Sequence, residues 1–233
     1  MYTLQYISIG GFQVNDNELF KWIRENLYVP VVCDILDDLG YRSQAMHQRL
    51  RPLDEHCCVI VGRARTMRWM ETDYIVEDNP YGKEIECMDS LRENDVVVHS
   101  TDRSGTNAPW GELMTTVAKR LGSTGCIVDS QIRDCLMIKK MNFPVFYAGI
   151  RPLDSKGRGW VVDYDVPVSC GEVVVNPGDI IFADFDGIVV VPKAVETKVF
   201  ELAKEKVHAE NASRKELLEG KTLAEVYAKY GAL

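Results

Sequence analysis

The spacing of apolar residues predicts two helices near the N-terminus. The first is expected to begin at a cap on Asn15 or Asp16 and to run to Glu25, because these polar side chains can accept hydrogen bonds from the first free amides of a helix. Pro30 suits the first turn of the second helix, and Gly40 ends it. The pattern therefore places a helical segment before the first predicted strand.

Strands and helices alternate in the middle of the chain. Runs rich in β-branched residues predict a strand over residues 57–67 and a short strand over 96–98 that is buried on both faces. Four elements follow: a helix over 111–121, a strand over 126–128, a short helix over 134–141 and a strand over 145–147. The apolar residues of the first of these helices share one stripe that we expect to face the core; they are Leu113, Met114, Val117, Ala118 and Leu121. This alternation is typical of a parallel sheet.

From Trp160 the pattern changes to short strands separated by turns. We expect these strands over residues 161–168, 172–175, 180–183 and 188–191. From Lys193 the chain reads as helix with interleaved Lys and Glu, which is typical of a solvated or partner-facing arm. We therefore predict an α/β fold with a central mixed sheet and flanking helices. Residues 1–192 would form one α/β domain that includes the helices of residues 15–40, and residues 193–233 would form a helical arm that contacts other copies of the chain.

Composition and charge narrow the possible partners. The chain has 233 residues, of which 46% are hydrophobic and 27% are charged, as in ordinary globular proteins. Its formal net charge of -8 opposes binding to phosphate backbones, so we expect no nucleic-acid partner. No apolar run approaches the roughly 20 residues needed to span a bilayer, and the N-terminus has no signal-peptide pattern, so we expect no membrane association. Seven scattered cysteines without CxxC spacing indicate reduced thiols and a cytoplasmic location.

Three charged residues carry the candidate chemistry. Glu112 opens the predicted helix after Gly111, and Arg133 and Asp134 follow the next strand after twenty intervening residues. One helix and one strand can return the Arg-Asp pair to the start of the helix that Glu112 opens. The group would then combine two carboxylates, one guanidinium and the unpaired amides of a helix N-terminus. Such a group suits a divalent cation together with a small carboxylate.

Each of these signals also has an ordinary structural explanation. A glutamate in the first turn of a helix is common because it interacts favourably with the helix dipole, and an Arg-Asp pair is often a salt bridge or a cap. Their joint placement is what favours a site. In that site the amides of Leu113 and Met114 would receive a carboxylate, Arg133 would polarise a carbonyl, and Asp134 would be a hard oxygen ligand.

The motifs around these residues resemble the class II pyruvate aldolases. This family is typified by 4-hydroxy-4-methyl-2-oxoglutarate aldolase and also contains the regulator of ribonuclease activity A. It carries an acid, then twenty residues, then Arg-Asp, as do Glu112, Arg133 and Asp134 here. The matching motifs are Trp110-Gly-Glu-Leu113, Phe143-Pro-Val-Phe146, Tyr164-Asp-Val-Pro-Val168, Asn176-Pro-Gly-Asp179 and Ala183-Asp-Phe-Asp-Gly-Ile-Val-Val-Val-Pro192. The resemblance runs through most of the chain and is dense from residue 95 to residue 192.

The resemblance implies a layered, swivelling β/β/α fold and a lyase that requires Mg²⁺ or Mn²⁺. The substrate would be a small 2-keto acid that releases pyruvate, with oxaloacetate decarboxylation as a related activity. Asp134 would bind the cation, Arg133 would contact the keto oxygen, and Glu112 would order metal-bound water. In the family a glutamate from a neighbouring subunit's C-terminal arm completes the site. The candidate here is Glu210, in a homotrimer or a homohexamer.

Two departures from the family pattern leave the substrate open. Ser130 follows the strand aspartate Asp129 where the family usually has glycine, and the segment 68–73, with an extra loop over 77–86, replaces a Gly-Asp-Asn-like stretch. Two other functions therefore stay open. One is a non-catalytic regulator that binds a ribonuclease, which the retained Glu112 disfavours because that regulator has glycine there. The other is a metal-dependent hydratase or dehydratase of a sugar acid, which would hold metal and carboxylate in the same way.

Overall fold

The computed structural model describes residues 6–9 and 12–231. The helices are α1 (Asp16–Asn26), α2 (Val29–Asp38), α3 (Lys83–Asp89), α4 (Glu112–Arg120), α5 (Cys135–Lys140), α6 (Glu196–Leu218) and α7 (Leu223–Tyr230). The strands are β1 (Tyr6–Ile9), β2 (Phe12–Asn15), β3 (Arg51–Pro52), β4 (Ile60–Glu71), β5 (Asp95–Ser100), β6 (Gly125–Ile132), β7 (Val145–Ile150), β8 (Gly159–Tyr164), β9 (Val168–Cys170), β10 (Val173–Val175), β11 (Ile180–Asp184) and β12 (Gly187–Val191).

A mixed sheet forms the centre of the fold. Within the described part of the chain it has eight strands, ordered β12-β11-β4-β5-β6-β7-β3, with β8 paired to the far half of β4. Strands β4, β5, β6 and β7 run parallel, whereas β11 is antiparallel to both β4 and β12. The parallel sheet predicted from the alternation between residues 96 and 147 is therefore confirmed.

The sheet separates three apolar layers. On β5 the side chains of Val96 and Val98 face an inner core shared with β9, β10, β11 and β12, whereas Val97 faces an outer core. That outer core is covered by α3, α4 and α5, and a further outer core is covered by α1, α2 and the start of α6. The chain thus has the predicted mixed α/β architecture, with two β layers inside and helices outside.

The predicted N-terminal helices are confirmed. Helix α1 begins in a capping box in which the Asn15 side chain accepts from the Glu18 amide at 3.0 Å and the Glu18 carboxylate accepts from the Asn15 amide. Pro30 lies in the first turn of α2, which ends just before Gly40. Both helices bury apolar faces against the sheet, so local capping and tertiary packing agree.

Two predicted boundaries between residues 57 and 86 are wrong. The predicted strand over 57–67 lies instead over Ile60–Glu71, because its far end pairs with β8, a partner ninety residues later in the chain. The predicted loop over 77–86 is helical from Lys83. Helix α3 forms there because Glu84, Cys87 and Met88 turn inward together.

The predicted stripe on the helix after Gly111 is only partly right. Val117, Ala118 and Leu121 pack inward, but the Leu113 side chain is 73% exposed. Thr115 takes the inward position instead, and its hydroxyl donates to the Gly111 carbonyl at 2.9 Å. A polar residue whose hydrogen bond is satisfied can therefore face the core there, and Leu113 lies on the exposed side of the helix.

The helical C-terminal segment is present as α6 and α7. Its first turns belong to the core, since Val199, Phe200 and Ala203 are buried against α1 and α2. Thr222 begins α7 with a second capping box. No helix in the described residues is both long enough and apolar enough to cross a membrane.

Candidate functional site

Backbone pairing brings the two predicted motifs together. Trp110 forms a parallel bridge with Ile132 at the end of β6, and the Arg133 amide donates to the Trp110 carbonyl at 2.9 Å. One residue further on, the Glu112 amide donates to Asp134 Oδ2 at 3.1 Å. The Arg-Asp pair therefore lies against the N-terminus of α4.

Gly111 allows this close approach. A Cβ atom at this position would lie 2.6 Å from Asp134 Oδ2 and 3.1 Å from Arg133 Cγ, far inside normal contact distance. The Gly111 backbone is extended, so the requirement is for space and not for an unusual dihedral angle. Glycine is thus needed at this position to place the Asp134 carboxylate on the first amide of α4.

The buried side chain of Trp110 anchors the loop before the site. Its ring stacks on Phe143 and meets the His99 ring edge-on at 5.5 Å between centroids. His99 Nδ1 accepts a hydrogen bond from Trp69 Nε1 at 2.9 Å, and burial lowers the pKa of His99 to about 3. A neutral, fully buried histidine supports the loop and does not exchange protons with a substrate at neutral pH.

Asp134 occupies a left-handed backbone conformation, with φ of 58°, directly before α5. Aspartate tolerates this region better than most residues, and such conformations cluster at functional sites. The side chains of Arg133 and Asp134 are 38% and 45% exposed, with 3.9 Å between Arg133 Nε and Asp134 Oδ2. Both charged groups are therefore within reach of a small molecule.

The first turn of α4 offers backbone donors beside these charges. Thr115 makes the first intrahelical bond, to the Gly111 carbonyl at 3.1 Å, and the Glu112 amide is used by Asp134. The amides of Leu113 and Met114 have no carbonyl within the helix to bond to, because they belong to its first turn. This arrangement suits a bound carboxylate.

Glu112 contributes its carboxylate from the same turn. Glu112 Oε1 accepts from the Thr116 hydroxyl at 3.0 Å, one turn along α4. The side chain is half-buried, so it is held along the helix but remains accessible.

The oxygen donors at the site fit a hydrated Mg²⁺ or Mn²⁺ ion. Within the described residues, 6–9 and 12–231, no group of three or more His, Cys, Asp or Glu side chains is arranged to hold a metal. Mg²⁺ commonly takes only one or two protein carboxylates, with water and substrate filling the other positions. Asp134 supplies such a carboxylate at the start of α4, where its Oδ2 accepts from the Glu112 amide, and the absence of a side chain at Gly111 leaves room for it there.

Glu210 does not join this group within one chain. It lies on α6, where the Tyr28 hydroxyl donates to its carboxylate. It lines a groove formed by α2, α6 and α7, together with Pro30, Leu217 and Val226. Burial raises the pKa of Glu210. Its proposed role in a neighbouring subunit's site stays a prediction.

Three site residues were not identified from the sequence. Asp154 Oδ1 lies 3.4 Å from Arg133 Nη2, and the Tyr81 hydroxyl donates to Asp154 Oδ2 at 2.9 Å. Glu84 is 2% exposed nearby, and burial, reinforced by the Asp154 charge, raises its pKa to about 8. The unusual composition of residues 68–86 pointed to this region but not to these side chains.

A shallow cleft opens beside the Arg-Asp pair. It is lined by Arg133, Asp134, Leu136, Ile150 and Arg151, together with Cys135, Met137 and Pro152. Two guanidinium groups and one carboxylate therefore surround a partly apolar cleft.

A protein-family model matches the part of the chain that carries these motifs. The family described as RraA-like, Aldolase/RraA, matches residues 29–190, more than half of the chain. This protein belongs to the RraA-like family. The resemblance inferred from the motifs around Glu112, Arg133 and Asp134 is therefore confirmed.

Individual RraA-like relatives cover most of the chain. A protein of Halalkalibacterium halodurans named "Putative 4-hydroxy-4-methyl-2-oxoglutarate aldolase" is 33% identical over 198 residues, covering 84% of this chain and 88% of its own. A protein of Azotobacter vinelandii with the same name is 28% identical, covering 72% of this chain and 95% of its own. Aldolase names thus recur among these relatives.

Solved structures share the whole fold. The crystal structure of Streptomyces coelicolor RraAS2, described as an unusual member of the RNase ES inhibitor RraA protein family, has a TM-score of 0.76 and 27% identity. It covers 86% of this chain and 98% of that one. A structure described among novel cellulases from microbes of the gut ecosystem has a TM-score of 0.81 and 29% identity, covering 89% and 92% of the two chains. This protein therefore shares its fold with a member of an RNase inhibitor family.

Proposed function

We propose that this protein is a divalent-metal-dependent lyase that cleaves a carbon–carbon bond of a 2-keto acid and releases pyruvate. The contact of the Glu112 amide with Asp134 carries the proposal, because it brings a carboxylate, the Arg133 guanidinium and the first amides of α4 to one point. The aldolase names of the relatives support the same reaction class.

The chain's own groups would bind and orient the substrate. The Leu113 and Met114 amides hold the carboxylate next to the keto group, and Arg133 donates to the keto oxygen. Asp134 would hold Mg²⁺ or Mn²⁺, which when bound would supply Lewis-acid charge to the keto acid. Substrate and guanidinium are thereby placed before any bond breaks.

In the proposed cleavage, negative charge develops on the keto oxygen that Arg133 contacts. A base removes the proton of the 4-hydroxyl, the C3–C4 bond breaks, and its electron pair forms the C2–C3 double bond of pyruvate enolate. The 4-carbon leaves as a carbonyl, and a proton returned to C3 gives pyruvate. Glu112, directly or through water, is our proposed base, and Arg133 stabilises the charge on the enolate oxygen. Decarboxylation of oxaloacetate passes through the same enolate, with CO₂ as the leaving group.

The cleft favours a substrate with two carboxylates. Arg133 and Arg151 both line it, and the Arg151 guanidinium also donates to the Gly105 carbonyl. Arg133 would bind the keto acid end of the substrate, and Arg151 would bind the distal carboxylate. This matches the dianionic substrate in the relatives' names.

Assembly and location form part of the same proposal. We propose a cytoplasmic homotrimer or homohexamer in which α6 and α7 contact a neighbour and Glu210 completes that neighbour's site. The seven cysteines, all of which are free thiols, support the proposed cytoplasmic location. Exposed apolar side chains on α7, including Leu223 and Tyr227, suit a contact between copies.

A protein-binding regulator is the second candidate. The similarity to RraAS2 favours it, since that protein is described as a member of an RNase inhibitor family. Such a role would need neither Asp134 nor a cation.

One assay separates these functions. The purified protein is incubated with a panel of 2-keto acids, with Mg²⁺ or with a chelator, and pyruvate is detected with a coupled dehydrogenase. Metal-dependent pyruvate release with a second carbonyl product or CO₂ supports the lyase. A dehydrated keto acid without pyruvate would indicate a hydratase or dehydratase, and no turnover would favour the regulator.

A further inference from the structure

Arg133 is held by a second carboxylate outside the family motif. Its Nη2 atom lies 3.4 Å from Asp154 Oδ1, and its Nη1 atom donates to the Leu153 carbonyl at 3.3 Å. Both acceptors belong to the loop after β7, and they contact the two terminal nitrogens of the guanidinium, whereas Asp134 lies nearest to Nε. The loop therefore restricts the rotation of the guanidinium.

Asp154 is itself fixed by a tyrosine. The Tyr81 hydroxyl donates to Asp154 Oδ2 at 2.9 Å, so each oxygen of this carboxylate has a separate partner. Burial, followed by the hydrogen bond to Asp154, raises the pKa of the Tyr81 phenol, which stays a donor at neutral pH. A carboxylate held at both oxygens orients its arginine more firmly than one that can rotate.

The segment that carries Tyr81 is anchored to β8. Gly82 packs against the Trp160 ring, and a Cβ atom on Gly82 would lie 2.7 Å from that ring. The backbone of Gly82, with φ of 43°, is also in the left-handed region. Asn79 accepts from the Gly82 amide at 2.9 Å, and Lys83 pairs with Asp163 at 2.9 Å. Contacts of the neighbouring residues with β8 thus fix the position of Tyr81.

A buried acid completes the surroundings of Arg133. Glu84 is 2% exposed and interacts electrostatically with Asp154 and Arg133. At neutral pH it is protonated, because its pKa is about 8, so it adds no second negative charge beside the guanidinium. Asp154 is thus the charged partner of Arg133 in this loop, and the Arg133 side chain is still 38% exposed.

We propose that Tyr81 and Asp154 are positioning residues that hold the Arg133 guanidinium in the orientation that binds substrate. The substrate itself rests on the proposed function, whereas the orientation of Arg133 does not. A displacement of about 1 Å in a binding group can cost roughly 10²-fold in rate. The segment 79–84 would thus act on the site from a distance, through Asp154.

The first test measures Arg133 without any substrate. Phenylglyoxal modifies accessible guanidinium groups, and peptide mass spectrometry gives its rate at Arg133 alone. Asp154→Asn and Tyr81→Phe should each raise this rate, the first by about tenfold, since loss of a charged partner frees the guanidinium. Asp89→Asn, on an exposed residue of α3, and Tyr74→Phe, on a tyrosine that is 69% exposed, are the matched controls and should leave the rate unchanged.

The second test is a kinetic cycle on pyruvate release. Asp154→Asn should lower kcat/KM about tenfold, and Tyr81→Phe less. In the Asp154→Asn background Tyr81→Phe should add less than about twofold, because its effect passes through Asp154. Asp154→Asn should also have little effect once Arg133 is replaced by lysine, an outcome that a merely structural loss would not produce.

The outcomes are distinguishable. Faster labelling of Arg133 in both variants supports the positioning role, even if the wild-type protein releases no pyruvate and the proposed function fails. An unchanged labelling rate in Asp154→Asn overturns the role, whatever the activity. Equal losses from Asp154→Asn with and without Arg133 would likewise overturn it.

Discussion

The carboxylate of Asp134 accepts a hydrogen bond from the backbone amide of Glu112 at 3.1 Å, although 22 positions separate them. The contact exists because Trp110 forms an isolated parallel bridge with Ile132 of β6 and Gly111 has no side chain. A carboxylate is thereby fixed at the positive end of α4, where we propose that it holds the cation. The predictions below test what this arrangement does.

Removing either charged group of the motif should nearly abolish pyruvate release. Arg133→Ala removes the donor to the keto oxygen and Asp134→Ala removes the cation ligand, and loss of one such group typically costs about 10²–10³ in rate. Steady-state kcat/KM with coupled pyruvate detection measures this. Arg120→Ala, on the exposed last turn of α4, is the matched control. Retained activity in folded Arg133→Ala would contradict the assigned role.

Gly111→Ala should displace Asp134 and weaken cation binding. The new methyl group would lie 2.6 Å from Asp134 Oδ2, so the carboxylate must move away from the α4 amide. We expect roughly a tenfold or greater loss of Mn²⁺ affinity, measured by electron paramagnetic resonance. Gly105→Ala is the control, because a Cβ atom there meets nothing within 4 Å. Equal affinities in the two variants would show that the close approach is unimportant.

Glu84→Gln should remove a pH-dependent loss of stability. Burial raises the pKa of Glu84 to about 8, so the folded protein holds a proton that the unfolded chain releases near its ordinary value of 4.5. The stability from this group is full below about pH 4.5 and is lost as pH rises toward 8, at about 1.4 kcal/mol per pH unit.

Urea unfolding at pH 5 and pH 8 measures this effect. Wild type and Glu84→Gln should be similar at pH 5, and the variant should be more stable at pH 8. Glu86→Gln, on the exposed face of the same helix, should show no such divergence. A constant difference between wild type and Glu84→Gln at both pH values would argue against an ionisable, buried Glu84.

Arg151→Ala should change substrate preference more than turnover. If Arg151 receives the distal carboxylate, KM for a dianionic 2-keto acid should rise by roughly tenfold, with little effect on a monoanionic one. The ratio of the two kcat/KM values in one protein sample measures this and is its own control for folding. An unchanged ratio would remove Arg151 from the substrate site.

Mixing two inactive variants should restore activity if Glu210 acts across subunits. Arg133→Ala and Glu210→Gln are co-expressed, so that assemblies contain both chains. Roughly one quarter of the sites would then join an intact Arg133 to an intact Glu210 of the neighbour. If the mixed assemblies are no more active than the mean of the two parent variants, Glu210 does not act in the neighbouring subunit's site.

Much of the site's membership followed from local sequence. The helix after Gly111, the strand before Arg133 and the twenty-residue spacing between the two motifs are short-range features, and hydrophobic period and capping report such features well. The prediction placed the Leu113 side chain on the core face, but that face includes Thr115, whose hydroxyl donates to the Gly111 carbonyl, and Leu113 lies on the exposed side. Periodicity alone carries no information on such compensation.

The sequence by itself determined most of the helices and strands, their order and the Glu112, Arg133 and Asp134 motif, because each depends on residues within one element or its ends, whereas α3 and the far end of β4 were missed. Only the tertiary structure decided that Asp154 meets Arg133, that Tyr81 bonds to Asp154, that Glu84 is buried beside them and that Glu210 accepts from Tyr28. The contact of Tyr28 with Glu210 joins residues 182 positions apart. The formation of these contacts depends on the sheet order and on the packing of side chains from distant strands, and no local pattern encodes either.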